Sequence, residues 1–67
     1  MLQNRIKVLR AEHNLTQAEL AEKIGVIRQT IIAMEQNKYQ PSVVLALRLA
    51  KELHVTVEDV FQLTEKQ

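Results

Sequence analysis

Apolar residues recur along this chain at steps of three and four, in short blocks separated by residues that start or stop helices. The first block sets Ile6 and Leu9 on one face, after Asn4 as N-cap, and runs out near His13 and Asn14. The second opens on Thr16-Gln17-Ala18-Glu19, where the Thr16 hydroxyl and the Glu19 carboxylate can each satisfy an orphan backbone N–H as a capping box. Its apolar face is Leu20, Ala21 and Ile24, and Gly25 follows at once, free to take the left-handed conformation that ends a helix. After the turn Gly25-Val26-Ile27, a third helix from about Arg28 to Gln36 turns Ile31 and Met34 toward the core, with Asn37 as its terminator. Ser42 caps a fourth helix carrying Leu45, Ala46, Leu49, Ala50 and Leu53. Thr56-Val57-Glu58-Asp59 then starts a short fifth, with Val57, Val60 and Phe61 as its apolar side.

Composition narrows this to an all-α chain. One glycine, one proline, one tyrosine and one phenylalanine leave little material for a multi-stranded sheet, while Leu, Ala, Glu, Lys, Gln and Arg are strong helix formers. The 67 residues predict one domain spanning 1–67, and without cysteine neither disulfides nor thiolate metal sites can staple it. No apolar run approaches the roughly 18 residues of a membrane helix, so the chain reads as soluble, untargeted and cytoplasmic, with no membrane partner. The net charge is only +1, but six Lys/Arg against four acids fall in residues 1–38 and three against four in 39–67. Positive charge therefore gathers in the first half, a small asymmetry that solvated helix faces explain as well as DNA binding does.

Residues 16–36 place a capped helix, a three-residue turn opening on glycine and a second helix in one short segment, the layout of a DNA-reading helix-turn-helix. Ala21 supplies the small residue where two steeply crossing axes approach, and Leu20, Ile24, Val26, Ile31 and Met34 form the shared apolar wedge. The run Leu15-Thr16-Gln17-Ala18-Glu19-Leu20-Ala21, then Ile24-Gly25-Val26, then Arg28-Gln29-Thr30-Ile31, resembles the Cro and phage-repressor (XRE-type) helix-turn-helix. The resemblance extends to Asn4-Arg5-Ile6-Lys7 and Leu9-Arg10, to Pro41-Ser42 with Leu45-Ala46-Leu47, and to Val55 through Asp59. It implies a compact five-helix, lambda-repressor-like DNA-binding domain with helices two and three as the motif.

The resemblance further implies that Gln17 donates to a DNA phosphate with backbone N–H groups at its helix end, and that Gln36, Asn37 and Lys38 touch the backbone after the recognition helix. Base reading would fall to Arg28, Gln29, Ile32 and Ala33 around the core-facing Ile31. Arg28 suits guanine O6/N7 and Gln29 adenine N6/N7, whereas Ala33 and Ile27 could only pack, for example on a thymine methyl. Arg10 and Glu35 stand where family members form a structural ion pair joining the first helix to the end of the recognition helix.

Four positions depart from the family pattern. Ile27 replaces the usual serine or threonine cap of the recognition helix, at a cost on the order of 1 kcal/mol. Asn37 and His54 replace glycines, the histidine at the larger conformational cost. Ile32 is apolar where a polar residue is common and could form a patch with Ile27.

The inventory excludes other classes. There is no Cys, the only Ser is an N-cap, and no glycine-rich phosphate loop exists, so the chain reads as no enzyme and calls for no cofactor. His13 and His54 lack a second ligand at metal spacing, so no metal is expected. Tyr39 reads as a packing residue of the loop, since one tyrosine and one phenylalanine cannot stack a single strand. The expected function is sequence-specific binding of a double-stranded operator as a transcriptional repressor. A homodimer is expected, with half-sites about 34 Å apart. Its surface would be the segment from His54 to Phe61 or the C-terminal tail including Leu63. The alternative is a protein-interaction module of the same fold, such as an antitoxin or coregulator, suggested by the near-neutral charge and the Ile27/Ile32 surface.

Overall fold

The computed structural model describes residues 2–64. It contains five helices: α1 Ile6–Glu12, α2 Gln17–Ile24, α3 Arg28–Glu35, α4 Val43–Glu52 and α5 Val57–Val60. Both capping boxes form. Thr16 Oγ1 accepts from the Glu19 N–H at 3.0 Å while Glu19 Oε1 accepts from the Thr16 N–H at 2.8 Å. Thr56 and Asp59 repeat the exchange at 3.1 Å in each direction, and Ser42 Oγ accepts from the Leu45 N–H at 3.1 Å.

The ends of the first four helices share one device, a residue in the left-handed region followed by a backward N–H bond. Asn14, Gly25, Asn37 and His54 take φ of +56°, +80°, +60° and +58°. The next residue in each case donates to a carbonyl five positions back: Leu15 to Arg10, Val26 to Ala21, Lys38 to Ala33 and Val55 to Ala50, at 2.8 to 3.0 Å. These bonds satisfy carbonyls that a helix end otherwise orphans. Only one of the four positions is glycine, so the other three hold that geometry against a Cβ penalty.

Ile6, Leu20, Ile31, Met34, Leu49, Leu53 and Val60 are fully buried and draw all five helices onto one core, completed by Leu9, Ala21, Ile24, Leu45 and Ala50. Ala46 is half-buried at its margin. Among the described residues no helix is long and apolar enough to cross a membrane.

The ends of the fold depart from the helical expectation. Leu2–Asn4 forms a strand β1 and Phe61–Leu63 a strand β2, paired antiparallel with Leu2 opposite Leu63, Gln3 opposite Gln62 and Asn4 opposite Phe61. Phe61 therefore leaves the fifth helix, at φ −123° and ψ 136°, and begins a strand. Asn4 ends β1 rather than occupying the cap position, which falls to Arg5 without a side-chain bond. Its Oδ1 nonetheless accepts the Ile6 N–H at 3.0 Å. Its Nδ2 donates to the Met34 carbonyl at 2.9 Å and to Asn37 Oδ1 at 2.8 Å, binding the start of α1 to the end of α3. Strands of three residues show no alternation to read, and their pairing joins segments almost sixty residues apart.

Candidate nucleic-acid interface

The α2–α3 unit is built from the inside outward. Leu20, Ala21 and Ile24 of α2 and Ile31 and Met34 of α3 are buried, with Val26 of the turn half-buried against them. Packing of this kind fixes the rotation of α3 about its axis, because any turn of the helix would expose Ile31 or Met34. Gly25 is demanded by its φ of +80° rather than by space, since a Cβ there would meet only Arg48 Nη1 at 3.6 Å. The Arg48 guanidinium also donates to the Ile24 carbonyl at 3.4 Å, closing the C-terminus of α2 from the α4 side.

With the apolar face locked, the first turn of α3 projects Arg28 and Gln29 as exposed side chains. Ile27, at φ −86° and ψ 160°, takes the backbone geometry of an N-cap but offers no side-chain acceptor, and it is 65% exposed. Ile32 and Ala33 are half-buried, so only part of each faces outward. Asn37 and Lys38 are exposed beyond the far end of α3, with the Asn37 amide oriented by its bond from Asn4.

Gln17 and the α3 terminus are brought together by Glu35. Gln17 Nε2 donates to Glu35 Oε1 at 3.1 Å, and Arg10 Nε donates to Glu35 Oε2 at 2.8 Å. Arg10 Nη1 also donates to the Leu15 carbonyl at 2.9 Å. One carboxylate thus joins α1, the first residue of α2 and the last of α3, with 14% of the Arg10 and 8% of the Glu35 side chain exposed. The pairing also offsets the charge of the Glu35 carboxylate beside Gln17. Sequence reasoning placed Asn4 only as a cap and passed over Arg48, and it missed the bonds each makes to carbonyls 30 and 24 residues away. A polar side chain bonding to a distant backbone carbonyl leaves no spacing to find.

Similar proteins share this fold. The helix-turn-helix family profile matches residues 6–60. An HTH-type transcriptional regulator of Methanocaldococcus jannaschii is 55% identical over 60 residues, covering 90% of this chain and 91% of that protein. A solved Bacteroides fragilis protein described as DNA-binding superposes with a TM-score of 0.83 at 37% identity, over 92% of this chain and all of the other. The Bacillus subtilis biofilm regulator SinR, solved in complex with DNA, superposes with a TM-score of 0.74 at 34% identity, over 81% of this chain and 87% of that one. With its buried wedge, its glycine turn and these relatives, the chain belongs to the helix-turn-helix family of the Cro and phage-repressor type.

Proposed function

We propose that this protein is a cytoplasmic, non-enzymatic transcriptional regulator, a repressor, that binds a double-stranded operator as a homodimer with α3 in the major groove. The observation that carries this reading is the exposed pair Arg28 and Gln29 on the first turn of a helix whose rotation Ile31 and Met34 hold. A bidentate guanidinium and a bidentate amide match the guanine and adenine edges, and rigid presentation turns that match into discrimination. Gln17 and Lys38, at the start of α2 and beyond the end of α3, flank the reading helix and would set its register by phosphate contacts. The SinR–DNA complex supports DNA as the partner.

Selection of binding sites from random duplex DNA tests the proposal. An enriched motif is expected, with salt-dependent affinity. Arg28→Ala and Gln29→Ala should each lose about 1 to 3 kcal/mol on that motif and relax preference at one base pair, with folding intact. No enriched motif, or variants that bind as well as the parent, would favour a module that works only on protein partners.

A further inference from the structure

Among the described residues, seven large apolar side chains are exposed, and four of them fall between positions 39 and 47: Tyr39 at 47%, Val43 at 76%, Val44 at 60% and Leu47 at 55%. Val43 and Leu47 lie one helical turn apart with Val44 beside them, opposite the buried Leu45, Leu49 and Leu53. They form a continuous outward ridge on the first half of α4. Residues 39–47 are also the longest stretch of the chain without Lys, Arg, Asp or Glu, nine residues in all.

We propose that this ridge is where a second copy of the chain docks when two copies occupy neighbouring half-sites. The inference rests on the operator-binding reading and adds the surface through which the partner is held. Its argument is electrostatic. A two-fold contact sets each surface patch against its own copy, so a patch whose charges share one sign meets that same sign. The α4 ridge carries no charge. The segment from His54 to Phe61 exposes Glu58 and Asp59 side by side, and a two-fold contact there would oppose acids. Leu63 is 75% exposed but stands at the end of a three-residue strand, and the tail from residue 65 lies outside the described residues.

Area sets the strength. The three ridge side chains present on the order of 300 Å², under half of the roughly 800 Å² that a standard interface buries per partner. That suits a weak dimer completed on DNA rather than a permanent one. Only residues 36–42 separate α3 from α4, so a contact at Val43 lies close in the chain to the end of the reading helix.

The test compares the parent with Val43→Glu/Leu47→Glu, with the uncharged polar pair Val43→Thr/Leu47→Gln, and with Leu63→Glu. Circular dichroism checks folding, and all these positions are exposed. Sedimentation equilibrium of the free proteins, up to about 1 mM, should show weak reversible dimers for the parent and Leu63→Glu, and monomers for the glutamate pair. On DNA the glutamate pair should match the parent on a single half-site duplex but lose tenfold or more on a duplex with two half-sites. The uncharged pair should fall between. A parent that stays monomeric, a glutamate pair that still dimerises, or a Leu63→Glu variant that does not, overturns the proposal. So does equal loss on one half-site and two, which would make the ridge a DNA contact. Failure of the operator reading itself would show separately, as a parent that binds no half-site while still dimerising through α4.

Discussion

Arg10 and Glu35 pair at 2.8 Å between α1 and the end of α3, with both side chains largely withdrawn from water. Arg10→Ala would leave the Glu35 carboxylate without its cation and should cost about 3 kcal/mol of stability, the range for breaking a desolvated pair from one side. The double variant Arg10→Met/Glu35→Leu should recover about a third of that loss. What it fails to recover should be about 1 kcal/mol for each bond left open at Leu15 and Gln17. Urea unfolding at constant m-value separates the outcomes, and a double variant no better than the single would show that the pair's charges are needed together.

The recognition helix starts without a side-chain cap, although the Ile27 backbone already has cap geometry at φ −86° and ψ 160°. Ile27→Thr supplies the missing acceptor for an N–H of the first turn without moving the chain. It should stabilise the fold by about 1 kcal/mol. For a domain this small that is a rise of roughly 4 to 8 °C in Tm. A fall in Tm would mean that the exposed Ile27 side chain packs more than its 65% exposure indicates.

His54 holds φ at +58°, where a Cβ is penalised, and its ring stacks on His13 with centroids 5.9 Å apart. His54→Gly removes the penalty, loses the ring contact and loosens the unfolded chain. The conformational term is the largest, so the net effect should be a gain of about 0.5 to 1 kcal/mol. His54→Val should lose stability, since a β-branched residue tolerates left-handed geometry worst. Thermal melts of the two variants should move in opposite directions.

Asp59 sits below the usual aspartate pKa, chiefly because the Thr56 backbone N–H and then its hydroxyl bond to the carboxylate, with the charge of Arg5 adding to the shift. A depressed folded-state value stabilises the fold above the ordinary aspartate range, and the contribution is lost as pH falls through the folded value. Asp59→Asn should therefore flatten the acid limb of a Tm-against-pH curve and leave the slope near neutrality unchanged. An unaltered acid limb would place the acid sensitivity elsewhere.

Helix-forming composition, apolar steps of three and four, and two capping boxes are local properties, and they determined the five helices, the glycine turn and the outward position of Arg28 and Gln29. Locality is the reason: an N-cap or a left-handed terminator acts within four residues of itself. The family pattern added the candidate site residues, and the Arg10–Glu35 pair it implied is formed. Tertiary structure alone decided that residues 2–4 and 61–63 pair as strands, because three residues carry no periodicity and the pairing closes nearly the whole chain. It alone decided that Asn4 reaches Met34 and Asn37, and that Arg48 reaches the Ile24 carbonyl. It also showed the half-burial of Ile32 and Ala33 and the bare ridge of α4. A side chain's partner across the fold, and the part of it left to solvent, depend on where other helices lie, and no local spacing encodes that.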